Sequence, residues 1–412
     1  MNNLLHIGFV GCGSFVQHFI PLFKAHPYVG SVAVTDLIPE RRIETAKKHG
    51  VTDIYDSFED MLKSKKLNCI AIFTQRHLHG PLAIAALKAG KHVYSAVPMA
   101  TSVEEIAQIV ELVKQTGLTY SMGETGHYRP CSIFCRTKLK SGEMGEFVYG
   151  ESQYNHDMRH FYASYQRSGG PDWKRTAAGI PPMLYPTHST GMMLSSTGSY
   201  ARKVAAFGYR DHHEDGIFGE GKNDWDNPFT NTSAMLYLAN GGIARISENR
   251  RIGWYGPQSY ITNFCGTAGS YECSIAQHSY VRLSGMDAVY EDVSGLLNPF
   301  EMQKHVSEEG FANAVVNNKW SSTFAPIQNT KRLPEEFIGM PDGHGGTHKY
   351  MCDDFCKAAY TGKLSPTNAW IAARYNLPGL IAHQSALKDG ESIDVPDFGD
   401  PPAGQDMLDS DK

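Results

Sequence analysis

The stretch Leu4 to Gly13, LLHIGFVGCG, decides the fold, and Asp36 decides how its far end is used. Leu4–Val10 is an apolar run of strand length, closed by Gly11-Cys12-Gly13. Gly11 permits a tight turn. Gly13 lets the backbone approach a pyrophosphate, which the start of a helix running to about Ala25 then stabilises. The third fingerprint position carries Val16 in place of Gly or Ala. Asp36 ends a second buried strand, Ser31–Thr35, 23 residues after Gly13. A carboxylate there accepts from both ribose hydroxyls and repels a 2′-phosphate, so the expected cofactor is NAD and not NADP. Ser14 and Phe15 of the same loop join the cofactor-binding set, whereas Arg41 and Arg42 fall inside the next helix and read as solvated.

The alternation continues outward from this motif. Asn68–Phe73, His92–Ser95 and Leu118–Met122 read as further strands. Between them lie a helix from about Pro81 to Gly90 and another opened by a Ser102/Glu105 capping box and stopped by Gly117. Apolar strands alternating with helices imply a parallel sheet covered on both faces, an α/β Rossmann domain over residues 1–122. From Gly123 the strands become amphipathic and hairpin-linked: Glu146–Tyr154, Lys203–Tyr209, Thr232–Leu238, Gly242–Glu248, Ser259–Gly266 and Ser270–Cys273. This predicts an α+β domain over 123–393 with a large, mostly antiparallel open sheet. Helices near His348–Thr361 and Ala369–Asp389 are expected to cover that sheet. Residues 285–340 give no clear assignment, and the Pro- and Asp-rich tail 394–412 is expected to be partly disordered.

Composition narrows the function. The 412 residues carry 38 basic and 43 acidic side chains, a net charge of −5, which gives no field for a phosphate polymer. The longest charge-free segment, Ala177–Ala201, is broken by Pro181, Pro182, Pro186, Gly191 and Gly198, so no membrane span is expected. Eight cysteines without a CxxC pair, behind an N-terminus lacking a basic leader, suggest reduced thiols and a cytoplasmic protein.

Thr74-Gln75-Arg76-His77-Leu78-His79, then Gly90-Lys91-His92-Val93 and Pro98, resemble the glucose–fructose oxidoreductase/inositol dehydrogenase (Gfo/Idh/MocA) family, where these pieces read TPNxxH and GKHVxxEKP. The resemblance implies a nucleotide domain followed by an open sheet whose face carries a sugar, and it assigns Thr74, His79 and Pro98 to the cofactor. Two departures stand out. Gln75-Arg76 replaces Pro-Asn, and Ala96-Val97-Pro98 replaces Glu-Lys-Pro. In the dehydrogenase branch that lysine moves the proton of the oxidised hydroxyl, and Val97 cannot. Met122-Gly123-Glu124, Tyr154-Asn155-His156-Asp157, Trp173-Lys174-Arg175, Tyr185-Pro186-Thr187-His188 and Gly343-His344-Gly345-Gly346 further resemble the NAD-dependent glycosidases of glycoside hydrolase family 109.

Tyr154 and His156 alternate along one strand and so share a face, as an ordinary amphipathic sheet would also have it. Tyr185 and His188 flank Pro186-Thr187, a spacing that brings phenol and imidazole to one pocket. With the resemblance, these four residues are the catalytic candidates. Either Tyr154 or Tyr185 would be the carbon 2 base, each with a histidine close in sequence to activate a phenol of pKa about 10. Glu124 closes the last Rossmann strand at the edge where ligands of such sheets bind, and is placed with the cofactor and beside the substrate. Trp173, Arg175 and His344 are assigned to the substrate. His344 and His348 are four apart, but Gly345-Gly346 and the missing glutamate of HExxH argue against zinc. The loop Asp211-His212-His213-Glu214-Asp215 reads as solvated, so no metal is expected. Arg245, Arg250 and Arg251, with Trp254 and Tyr255, fit a sugar or anion pocket or plain sheet-surface charge equally well.

Two functions follow. One is a redox-neutral glycosidase that oxidises sugar carbon 3, eliminates, adds water and is reduced again. The alternative is a sugar or polyol dehydrogenase releasing NADH. A nucleotide-binding sensor without turnover is a third. The expected partners are a small carbohydrate and further copies of the chain, as a homodimer or homotetramer.

Overall fold

The computed structural model describes residues 4–252, 260–274, 277–299 and 323–412. They form two compact units. One gathers Met1–Thr125, Asn329–Ala373 and Phe398–Lys412, and the other gathers Gly126–Gln328 and Arg374–Asp397.

The first unit is built on a six-stranded parallel sheet in the order β3-β2-β1-β4-β5-β6. The strands are β1 (Leu5–Val10), β2 (Val29–Thr35), β3 (Asp53–Ile54), β4 (Cys69–Ile72), β5 (His92–Ser95) and β6 (Tyr120–Met122). Central β1 pairs Ile7–Val10 with Val32–Thr35 on one side and Cys69–Ile72 on the other, which is why these strands are apolar throughout. Ser102 caps the helix Val103–Thr116 by accepting the Glu105 amide at 3.2 Å, and Gly117 closes it in the left-handed conformation.

The segment after Gly13 departs from a continuous helix. It makes a 3₁₀ turn at Phe15–His18 and only then the helix Ile20–Ala25. Pro21 explains the break, since its ring nitrogen cannot donate to the preceding turn. The helix Thr347–Thr361 also departs from expectation. It packs within the first unit, with Phe355 edge-on to Phe23 and Tyr94 at 6.0 and 5.7 Å, rather than over the second sheet. The C-terminal residues return to this unit as well, and Leu364 exchanges backbone hydrogen bonds with Asp406 and Leu408 at 2.8 and 2.9 Å.

The second unit carries a nine-stranded sheet in the order β14-β13-β12-β11-β7-β10-β9-β8-β15. Its strands are β7 (Phe147–Asn155), β8 (Ala201–Arg210), β9 (Phe229–Leu238), β10 (Ile243–Asn249), β11 (Tyr260–Gly266), β12 (Gly269–Ser274), β13 (Gln277–Ser284), β14 (Asp287–Asp292) and β15 (Ile393–Asp394). Among the described pairings only β7–β10 is parallel. Strand β14 lies inside 285–340, the stretch without a clear assignment, because DAVYED offers few apolar residues to reveal alternation. One sheet face is covered by the helix Thr187–Thr197, whose first ten residues are buried, and by Pro130–Lys140. Among the described residues no helix is long and apolar enough to cross a membrane.

Candidate functional site

The nucleotide loop lies in the first unit. Gly11 has φ 94°, and a Cβ there would stand 2.4 Å from the Phe73 carbonyl oxygen, so only glycine fits. A Cβ on Gly13 would meet nothing within 4 Å, which leaves open space in front of the backbone for a phosphate. The Asp36 carboxylate accepts the Cys12 amide at 2.6 Å and the Ile38 amide at 2.8 Å, and is thereby fixed between the loop and the end of β2. These features fit a dinucleotide. Ser14 and Phe15 are exposed on the same loop. Arg42 is not solvated as expected: it bonds the Asp56 carboxylate at 2.5 Å and the Asp56 carbonyl at 2.6 Å.

His79 is buried between two carbonyls, with Nδ1 2.8 Å from Pro98 O and Nε2 3.1 Å from Thr74 O. Burial pulls its pKa down to about 4, so the ring is neutral at pH 7 and donates to only one of them. The bridge ties the Thr74 loop to the Val97-Pro98 segment. Glu124, two residues beyond β6, is fully buried. His344 hydrogen-bonds His348 ring to ring at 2.8 Å, and both rings meet Phe15 edge-on at 5.8 and 5.6 Å. His344 thus stands against the nucleotide loop. Among the described residues no group of three metal-ligating side chains converges.

The second unit brings the four catalytic candidates together. Tyr154 near the end of β7 and His156 one residue beyond it stand together, and the Tyr154 hydroxyl bonds His156 Nδ1. The Tyr185 hydroxyl lies 3.0 Å from His188 Nε2. The two pairs join where the His188 and Tyr154 rings meet edge-to-face at 4.8 Å. Burial raises the Tyr154 hydroxyl well above the ordinary phenol range, with Tyr260 and Tyr185 adding to the rise and Arg250 opposing it. The phenol therefore keeps its proton at neutral pH and shares a hydrogen bond with His156 whose direction the histidine tautomer sets.

Four further neighbours complete this cluster; the sequence reading weighed Arg250 as pocket or surface charge and missed the other three. Tyr260 of β11 pairs directly with Tyr154 and stacks on it at 4.9 Å and 24°. The Arg129 guanidinium lies 3.4 Å from the Tyr260 ring centre. Arg250 lies over Tyr154 and Tyr185 at 4.7 and 5.3 Å and donates to the Tyr185 carbonyl at 3.1 Å. Fully buried Glu248 holds Arg250 at 2.6 Å and accepts from the Ser189 hydroxyl at 2.5 Å. Their only sequence signal was register, because a strand beginning near residue 260 beside β7 sets the two tyrosines opposite each other.

Other assignments are placed elsewhere. Arg175 pairs with Asp224 at 3.1 Å. Trp173 packs on Tyr162 at 5.3 Å in a small apolar cluster with Met158 and Tyr165, which meets the site where Phe161 packs against His156 and the Met158 amide donates to the Arg250 carbonyl. The Asp211–Asp215 loop is held at its two ends, where Arg251 bonds the Asp211 carboxylate at 2.5 Å and also Asp215, while His212, His213 and Glu214 between them are exposed as expected of a solvated loop. Arg245 is paired with Glu151. Trp254 and Tyr255 lie outside the described residues.

Residues 5–124 match a family model described as an oxidoreductase family, NAD-binding Rossmann fold. This stretch is the NAD-binding domain of the Gfo/Idh/MocA oxidoreductases. Curated relatives extend the likeness to the rest of the chain. A glycosyl hydrolase family 109 protein of Streptomyces filamentosus is 24% identical over 421 residues, covering 96% of this chain and 77% of that protein. An alpha-N-acetylgalactosaminidase of Tannerella forsythia is 24% identical over 438 residues, covering 96% of this chain and 86% of that one. Among solved structures, levoglucosan dehydrogenase in complex with NADH and levoglucosan shares the fold at TM-score 0.70 and 18% identity, covering 95% of this chain and 99% of that chain. With its Gfo/Idh/MocA domain, the chain is an NAD-dependent enzyme.

Proposed function

We propose that the protein is a redox-neutral, NAD-dependent glycosidase, with the dinucleotide assigned to the first unit and the sugar to the second. The observation that carries this is the junction of two tyrosine–histidine pairs, Tyr154–His156 and Tyr185–His188, in a single cluster. A dehydrogenase needs one acid/base group, at the hydroxyl it oxidises. Elimination and re-addition need a second at the neighbouring carbon, and two relays supply both.

Gly11, Gly13 and Asp36 would hold the dinucleotide, with Thr74, His79, Pro98 and Glu124 shaping its far side. Bound NAD supplies a reversible hydride acceptor, through which sugar carbon 3 is transiently a ketone. The residues' own work is proton transfer and orientation. One tyrosine–histidine pair takes the proton of the carbon 3 hydroxyl. The other takes the proton of carbon 2, made acidic by the adjacent ketone, and the resulting electron pair expels the carbon 1 substituent. Reversing these transfers adds water. Because Tyr154 keeps its proton, its histidine is the acceptor in that pair, and Tyr154 passes the proton along. Trp173 near Phe161 would bound the sugar, and His344 against Phe15 would border the nucleotide loop.

Likeness in fold to levoglucosan dehydrogenase favours the second reading, a sugar dehydrogenase with net NADH release. A panel of chromogenic glycosides, assayed at once for the released chromophore and for nicotinamide absorbance, separates the two. Chromophore without NADH supports the glycosidase. Stoichiometric NADH with the glycoside intact establishes the dehydrogenase.

A further inference from the structure

Among the described residues, three charged side chains stand against the tyrosine–histidine cluster. Glu248 and Arg250 are two of them, and they neutralise each other at 2.6 Å. The third is Arg129. Its guanidinium lies on the face of Tyr260, the ring stacked on Tyr154, and among the described residues no carboxylate pairs with it. Its Nε is shielded from solvent and makes no hydrogen bond there, and the same holds for Nη1 of Arg250, which is 6% exposed. The cluster therefore has one uncompensated positive charge and two unspent guanidinium N–H groups. Polar groups so enclosed are stable when a ligand completes them. A guanidinium beside aromatic rings suits a planar or tetrahedral oxyanion, which it grips with two N–H groups at once.

Resting on the glycosidase-or-dehydrogenase reading of this site, we propose that the substrate is an acidic sugar whose carboxylate or sulfonate is received by Arg129. A neutral sugar would leave the charge of Arg129 half-buried with only a ring face to answer it, and cation–π attraction offsets part of that cost alone. An anionic substituent supplies the missing charge and accepts the idle N–H groups. Arg250 assists through its unused Nη1 while Glu248 keeps its net contribution near zero.

The test is calorimetric titration of the NAD-loaded protein with three methyl glycosides: glucoside, glucuronide and 6-deoxy-6-sulfoglucoside. At least one anionic glycoside should bind at least tenfold more tightly than the neutral one, and which one identifies the anion. Added salt should weaken it selectively. Arg129→Gln should remove the preference, a loss of about ten- to hundredfold for the anionic ligand, and Arg129→Lys should keep part of it. If Arg129→Gln does not fold, as judged by NAD binding, the salt dependence of the wild type decides. Equal or tighter binding of the neutral glycoside, or a preference that survives Arg129→Gln, overturns the inference and leaves the sugar reading standing. Failure of all three glycosides to bind refutes both.

Discussion

Removing Glu248 should damage the protein more than removing its whole ion pair. Glu248 is fully buried, accepts from the Ser189 hydroxyl and amide at 2.5 and 3.3 Å, and is the one carboxylate on Arg250 among the described residues. In Glu248→Leu the guanidinium stays buried without a counter-ion, and breaking such a pair costs about 3–5 kcal/mol. In Glu248→Leu/Arg250→Met both charges are gone. What is lost then is the donor to the Tyr185 carbonyl and the partner of Ser189, about 1–3 kcal/mol for buried groups left unmet. The double variant should thus be the more stable, with a coupling energy of about 2 kcal/mol or more. Urea unfolding of wild type, both single variants and the double variant at pH 7 measures it. Arg250→Met adds a sign check. Burial already raises the Glu248 pKa, and loss of Arg250 raises it further, so this variant should gain stability relative to wild type as pH falls toward 5. Additive single effects, or a Glu248→Leu cost under about 1 kcal/mol, would show that the pair is not the desolvated element described here.

Three further outcomes follow from the first unit. His79 titrates near 4 when folded and near 6.5 when unfolded, so its contribution is complete above pH 6.5 and is lost as pH falls toward 4. Between pH 7 and 4.5 the wild type should lose about 2.4 kcal/mol more stability than His79→Gln, as read by urea unfolding; parallel losses would contradict the neutral buried ring. Asp36→Ala should weaken NAD binding about ten- to hundredfold and narrow the gap to NADP in a direct titration, because the ribose loses its charged acceptor. Gly11→Ala, forced to φ 94° and into the Phe73 carbonyl, should lose NAD binding or unfold at markedly lower urea; retention of both would mean the loop is looser than the geometry implies.

What the sequence disclosed and what it hid follow from locality. The Rossmann sheet was legible because Leu5–Val10, Cys69–Ile72 and His92–Ser95 are buried on both faces and flanked by glycines, so burial and punctuation coincide along the chain. Tyr154 with His156, and Tyr185 with His188, were legible because the members of each pair are close neighbours in sequence. Arg129, Glu248 and Tyr260 were not, and Arg250 stood equally as pocket or surface charge, because their meaning arises when distant segments meet, as where β7, β10 and β11 pair across about a hundred residues of chain. The same limit misplaced the helix Thr347–Thr361. Its apolar face suits either unit, and contacts with distant residues such as Phe23 and Tyr94 determine which it joins. The solvated reading of Asp211–Asp215 missed the anchoring of its two ends because their partner, Arg251, is 36 to 40 residues away.

The central claim is that the two tyrosine–histidine pairs run an elimination at carbon 2 with no net redox change. The most direct measurement is mass and proton NMR analysis of the sugar released from a cleaved glycoside in heavy water, with nicotinamide absorbance followed in the same cuvette. The account predicts deuterium at carbon 2 of every released sugar, no accumulation of NADH, and loss of both release and labelling in Tyr154→Phe and Tyr185→Phe while NAD still binds. Released sugar with hydrogen retained at carbon 2 would contradict it.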